Sequence, residues 1–178
     1  MLDLKTLIRD VPDFPKPGVT FKDITPLLAS PAGLAQVVEQ MANPYRGAGI
    51  ELVCGAESRG FIFGTAIAQS LSAGFVPIRK PGKLPGETRS VSYDLEYGSD
   101  SLEIHADAVK PGQKVLMVDD LLATGGTLKA CLDLLHELGG DVAGVSLAIE
   151  LTFLGGRAKV GGSVPINAAM VYQGEVAG

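Results

Sequence analysis

Val115-Leu116-Met117-Val118-Asp119-Asp120-Leu121-Leu122-Ala123-Thr124-Gly125-Gly126-Thr127 is the stretch on which the fold turns. Four apolar residues, two of them β-branched, read as a strand buried on both faces, as in a parallel sheet. Two adjacent acids stand where that strand is expected to end. A run of small and hydroxyl residues follows, and then Leu128, Cys131, Leu132, Leu135 and Leu138 recur at helical spacing until Gly139-Gly140. That spacing marks a helix with one apolar face, and the glycines mark its stop. The order is strand, acidic pair, small-residue loop, helix.

Such a loop opening a helix leaves backbone N–H groups unpaired and converging, with the positive end of the helix dipole behind them. A nest of this kind suits a phosphate. Thr124 and Thr127 add hydroxyl donors. Carboxylates one loop away suit the vicinal hydroxyls of a sugar carrying that phosphate. The plainer alternative is a tight strand-to-helix turn with a solvated acidic pair. No Gly-Lys-Ser/Thr follows the glycines, so the loop is not a Walker loop, and the dinucleotide fingerprint Gly-x-Gly-x-x-Gly is missing too.

Working outward, the 178 residues fit one domain, 1–178, with room for a substantial core. Hydrophobic residues at 46% and charged residues at 20% describe an ordinary globular chain, and 23 glycines fit many strand-to-helix turns. The net charge of −5 argues against general nucleic-acid binding. Cys54 and Cys131 lie far apart in apolar segments and read as free core thiols in a reducing, cytoplasmic setting. His105 and His136 stand in unrelated contexts, which disfavours a histidine metal cluster or a Ser-His-Asp triad. Residues 1–10 lack the apolar core of a secretion signal, and no run reaches membrane-spanning length.

Leu4, Leu7, Ile8 and Val11 predict a short amphipathic helix ended by Pro12. Next comes Asp13-Phe14-Pro15-Lys16-Pro17-Gly18-Val19-Thr20-Phe21-Lys22-Asp23-Ile24-Thr25-Pro26-Leu27-Leu28, whose prolines forbid regular helix in its first half. Phe14 and Phe21 belong either to a packed arm or to the wall of a flat apolar pocket. Ser30-Pro31 predicts a capped helix closed by Pro44. Ile50 to Cys54 read as the first central strand, which runs into Gly55-Ala56-Glu57-Ser58-Arg59-Gly60 and an almost wholly apolar helix expected to be buried. Arg59 is either a surface residue of that turn or a fork for diphosphate oxygens. Phe75-Val76-Pro77-Ile78 is the next strand. Beyond Ile78 the pattern fails through Asp100, with Arg79, Lys80, Lys83 and Arg89 among prolines and glycines. A stretch that long reads as a lid or as a solvated hairpin arm. Leu102-Glu103-Ile104 predicts a returning strand, residues 142–149 a further buried strand, 153–159 a short helix and 164–172 an edge strand. The tail carries no site signal. The expected fold is α/β, a mostly parallel sheet with helices on both faces, an N-terminal hood over residues 1–30 and a flexible lid over 79–105.

Residues 118–127 resemble the phosphoribosyl diphosphate motif of type I phosphoribosyltransferases, in the version carried by the adenine-specific branch. Asp13 through Leu28 are similar to that branch's adenine-recognition arm. Glu57-Ser58-Arg59-Gly60-Phe61-Ile62-Phe63-Gly64 looks like its diphosphate-binding turn. Arg79-Lys80-Pro81-Gly82-Lys83-Leu84-Pro85-Gly86 and Ser92-Tyr93-Asp94-Leu95-Glu96-Tyr97-Gly98 resemble its mobile loop. The resemblance implies Mg²⁺-dependent transfer of ribose 5-phosphate from phosphoribosyl diphosphate to N9 of adenine, giving AMP and diphosphate. It implies that Phe21 stacks on the base, with backbone near Thr20 and Lys22 bonding its edge, and that Leu121 lines the opposite wall. Asp119 and Asp120 then hold the ribose hydroxyls. Ala123, Thr124, Gly125, Gly126 and Thr127 hold the 5′-phosphate. Glu57, Ser58, Arg59, Arg79, Lys80, Lys83 and Tyr97 complete the substrate site. Arg59 and Lys83 neutralise the leaving diphosphate, and Glu96 accepts a purine proton. It further implies a cis peptide between Glu57 and Ser58, magnesium held mainly by ligand oxygens and water near Asp119 and Asp120, and a homodimer in which Arg79 reaches the neighbouring site. Xanthine or hypoxanthine as the base, and a non-enzymatic sensor of phosphoribosyl diphosphate, are the alternatives.

Overall fold

The computed structural model describes residues 1–94, 99–162 and 164–174. The chain opens with a 3₁₀ turn, Leu4–Leu7, and then strand β1 (Arg9–Val11), which pairs antiparallel with β2 (Phe21–Asp23). The amphipathic helix expected here is therefore only one turn long. Its second half finds backbone partners in β2 instead, and tertiary pairing overrides the local pattern. Between the strands the chain doubles back, with Asp13 Oδ1 accepting the N–H of Gly18 at 2.8 Å. The rings of Phe14 and Phe21 meet edge to face, with centroids 5.2 Å apart. Lys5 Nζ donates to the Val171 carbonyl at 2.6 Å, and this ties the hood to the last strand.

Helices α1 (Thr25–Ala29) and α2 (Pro31–Ala42) follow. The Ser30 hydroxyl accepts from Gly33 N at 3.1 Å, the predicted cap, a contact of about 1 kcal/mol. Then come β3 (Leu52–Ala56), α3 (Arg59–Leu71) and β4 (Gly74–Ile78). The apolar helix α3 buries one face only, through Phe63, Gly64, Ile67 and Ala68, and leaves Ile62 41% exposed.

The segment expected to lack structure is largely an antiparallel ribbon, β5 (Thr88–Asp94) with β6 (Ser99–His105), bridged back to Arg79 at Glu103. Alternating Val91, Tyr93, Leu102 and Ile104 bury one face of it against the body, a period of two that the charged flanks obscured. Strand β7 (Lys114–Leu122) is longer than predicted and runs through both aspartates. Helix α4 (Gly126–Glu137), strand β8 (Asp141–Leu151), a 3₁₀ turn Thr152–Leu154, the short helix α5 (Gly156–Val160) and edge strand β9 (Ile166–Tyr172) complete the chain.

The central sheet is all parallel, in the order β4-β3-β7-β8-β9. Alternate residues of β7 face opposite cores. Val115 and Met117 pack with Leu128, Cys131 and Leu135 of α4, while Leu116 and Val118 pack with Phe63 and Ile67 of α3 and Val37 and Met41 of α2. Helices thus cover both faces, as expected. From β3 the chain leaves towards β4, and from β7 towards β8, with α3 and α4 on opposite faces. The crevice between the carboxyl ends of β3 and β7 is therefore the switch point where open α/β sheets bind ligands. Among the described residues no helix is long and apolar enough to cross a membrane.

Candidate active site

A cleft of about 260 Å³ opens at that switch point, lined by Glu57 and Arg59 from the β3–α3 turn and by residues 119–128. Two of the predicted segments, about sixty residues apart in the chain, thus meet in one cavity. Gly125, at φ 86°, turns the loop into α4. A Cβ on Gly60 would come within 2.9 Å of Asp119 Oδ1, so only glycine lets α3 approach the acids this closely.

Asp119 and Asp120 are 8% and 5% exposed, in place of the solvated pair that the plainer alternative described. Burial, and then the neighbouring Asp120 charge, push the Asp119 carboxyl well above the usual carboxylate range. Burial raises Asp120 as well, against the opposing pull of Arg59. Asp119 Oδ1 accepts the N–H of Asp120 at 2.9 Å. Arg59 Nε lies 2.9 Å from Asp120 Oδ2, close enough for an ion pair but off the line of a hydrogen bond, so this buried oxygen has no hydrogen-bond donor. A buried acceptor left this way is costly unless a ligand satisfies it. The Arg59 guanidinium also lies over the Phe21 ring, 4.9 Å from its centroid, and joins the hood to the cleft.

The remaining predicted residues divide. The Glu57–Ser58 peptide is cis. Glu57 Oε2 accepts from Arg79 Nε at 3.1 Å and from Lys80 N at 2.9 Å, so Glu57 ties the β3–α3 turn to the root of the ribbon. Arg79, expected to reach a neighbouring subunit, is paired within its own chain. Lys80 Nζ meets Asp100 Oδ2 at 3.0 Å, and the pairing lowers the Asp100 carboxyl and raises the Lys80 ammonium. Lys22 bonds Asp10 at 2.7 Å and lies over the Tyr172 ring, which leaves its backbone as the part available for recognition. Thr20 is half-buried beside Phe21. Ser58 and Lys83 are exposed, and neither lines the cleft. Glu96 and Tyr97 lie outside the described residues. Burial pushes the Cys54 thiol up to about 12 and the Cys131 thiol well upward, as befits core residues rather than nucleophiles.

Two neighbours of the loop escaped the sequence reading. Tyr93 of β5 places its hydroxyl 3.3 Å from Thr127 Oγ1, where the ribbon touches the cradle. Gly156 of α5 packs so tightly on the Ala123 carbonyl and the Leu122 side chain that no Cβ fits there. The Gly155-Gly156 pair was the available signal for the second contact.

A model of the phosphoribosyl transferase domain matches residues 23–151. A protein of Rhodopirellula baltica named adenine phosphoribosyltransferase is 54% identical over 98% of this chain and 84% of its own length. The chain belongs to the adenine phosphoribosyltransferase family. An adenine phosphoribosyltransferase structure from Rhodothermus marinus superposes with a TM-score of 0.91 at 49% identity, covering 95% of this chain and 96% of its own. The adenine phosphoribosyltransferase of Saccharomyces cerevisiae, solved with an imino-altritol bisphosphate and adenine, superposes at 0.88 with 37% identity, covering 93% of this chain and 96% of its own. Among the described residues no group of three or more His, Cys, Asp or Glu is placed to hold a metal. The oxygen donors at the cleft, Asp119 and the unsatisfied Oδ2 of Asp120, are of the type that suits a hydrated hard cation.

Proposed function

We infer that this chain transfers the 5-phosphoribosyl group from phosphoribosyl diphosphate to adenine, forming AMP and diphosphate. The observation that carries the reading is the buried Asp119–Asp120 pair set between the residue 123–127 cradle and Arg59. At C1′ the bond to diphosphate oxygen breaks, the bond to N9 forms, and N9 gives up its proton. Charge with oxocarbenium character develops on the sugar, so positioning and electrostatics carry most of the catalysis. The cradle fixes the 5′-phosphate. Asp119 and Asp120 take the ribose hydroxyls and place negative charge beneath the developing cation. Arg59 leaves Phe21 for the diphosphate, and the base takes its place on that ring. Asp119 and Asp120 would hold a hydrated Mg²⁺, which would supply charge neutralisation for the leaving diphosphate. Lys83, from the turn before β5, adds charge when the ribbon closes, and closure keeps water from the sugar donor.

The deciding test is incubation with phosphoribosyl diphosphate, Mg²⁺ and each of adenine, hypoxanthine and xanthine. AMP should form, and the other two bases should be poor substrates. A preference for either of them would overturn the base assignment, and no turnover with any base would favour a sensor.

Variants at two positions probe the assigned roles. Arg59→Ala should lower kcat/KM by about a hundredfold. Arg59→Lys should recover little, because a point charge does not replace the planar fork. Steady-state rates with varied phosphoribosyl diphosphate check this. Glu96→Ala should lower kcat more than it raises the KM for adenine, and a change in KM alone would remove its proton-acceptor role. We further propose a homodimer. Sedimentation checks the state. The free, buried Cys54 and Cys131 support the expectation of a reducing, cytoplasmic setting.

A further inference from the structure

The phosphate cradle is made almost entirely of backbone and two threonine hydroxyls, and residues 123–127 include no cation. The charged residues that precede it in the chain, Asp119 and Asp120, are carboxylates. Arg59 is the one Lys or Arg among the described residues lining the cleft, and Asp120 and Phe21 engage it. A terminal phosphate at neutral pH carries close to two negative charges, so amide donors and a helix dipole leave much of that charge unmatched.

One ammonium reaches the cradle from outside the loop. A Cβ on Gly126 would lie 3.6 Å from Lys159 Nζ and 3.3 Å from the Tyr93 ring. Lys159 belongs to α5, and α5 is anchored at three points. Glu150, 3% exposed, holds Arg157 through bonds of 2.6 and 2.7 Å. Val160 is buried in the core beneath α4. Gly156 lies against the loop itself, where its carbonyl would meet a Cβ on Gly125 at 2.6 Å. Arg157 is thus engaged by Glu150, whereas Lys159 is exposed and pairs with no carboxylate among the described residues. The helix that holds it is fixed by contacts with the very loop it overlooks.

We propose that Lys159 is the cation of the cradle and binds the 5′-phosphate of phosphoribosyl diphosphate and of AMP, a role that rests on the reading of residues 123–127 given above. It does so from α5, outside both ligand loops. Its ammonium and the Tyr93 ring stand together beside Gly126, the residue that opens α4.

The test compares AMP with adenosine, which differ by that phosphate, on the full chain by calorimetric titration. Lys159→Ala should weaken AMP by about tenfold, raise the KM for phosphoribosyl diphosphate by a similar factor and leave adenosine affinity as it was. Lys159→Arg should restore most of the AMP affinity. Lys129→Ala removes the same charge from the exposed side of α4 and should change neither ligand. Equal losses for AMP and adenosine, or an equal effect from Lys129→Ala, would overturn the proposal. Unchanged AMP binding in Lys159→Ala beside a clear loss in Thr127→Ala would overturn Lys159 and leave the cradle standing. If neither variant alters AMP relative to adenosine, the cradle itself is misassigned.

Discussion

Replacing Asp119 and Asp120 together by asparagine should cut AMP formation by about a thousandfold or more, while the protein melts no lower than the wild type. The two halves of this expectation come from the same burial. A carboxylate placed in a buried crevice beside a second one is stabilising only when sugar hydroxyls and a hydrated cation are there to meet it. In the free protein it is a liability. Asp119 carries the clearest upward shift, caused first by burial and then by the charge of Asp120. The sign follows directly. A carboxyl whose folded pKa exceeds its unfolded value of 3.8 binds its proton more tightly in the folded state. That contribution is fully present below about pH 4 and is lost as pH rises through the folded value. Asp119→Asn removes the penalty, so its melting temperature should exceed that of the wild type at neutral pH, and the gap should shrink as pH falls towards 4. Melting curves across that range, run beside an AMP assay, check both halves. Near-normal turnover would sink the ribose assignment. A lower melting temperature at neutral pH would show that the pair stabilises the free fold. Stability set aside for function in this way is common at active sites.

Gly125→Ala should be nearly as damaging, but through geometry. Gly125 sits at φ 86°, a region that costs an L-residue about 1 to 2 kcal/mol. A Cβ there would also stand 2.6 Å from the Gly156 carbonyl, and backbone cannot swing aside as a side chain can. The loop and α5 must therefore part, which opens the cradle and withdraws α5 from it. The KM for phosphoribosyl diphosphate should rise by about a hundredfold, and the melting temperature should drop by several degrees, since 2 to 3 kcal/mol in a domain this size is worth that much. The KM for adenine should change far less, because Phe21 and the hood lie on another element. Equal damage to both substrates would show that the substitution disorders the whole cleft. Kinetics with each substrate varied in turn, together with a melting curve, separate these outcomes.

These two cases mark where the sequence was readable. The strand at residues 115–118, the acidic pair, the glycine loop and the helix after it were all legible, because each is written in neighbouring residues: an apolar run, a charge, a turn residue, a period of 3.6. The Ser30 cap and the alternation of strands and helices were legible for the same reason. The ribbon of β5 and β6 was not, because charges and glycines near its root masked a short alternating pattern. The extent of β7 was misread for a related reason. Two aspartates look like the end of a strand, but here both lie within β7, Asp119 pairs with Leu147 of β8, and both are buried by what packs over them.

The sequence by itself determined the α/β class and the alternation of strands and helices in the central sheet, since local periodicity and turn chemistry specify those within a few residues. Only the tertiary structure decided which distant groups meet: Arg59 with Asp120 and Phe21, Glu57 with Arg79, Gly125 with Gly156, and Lys159 with Gly126. Those meetings depend on strand order and on how closely two backbones can approach, quantities that no window of neighbouring residues contains.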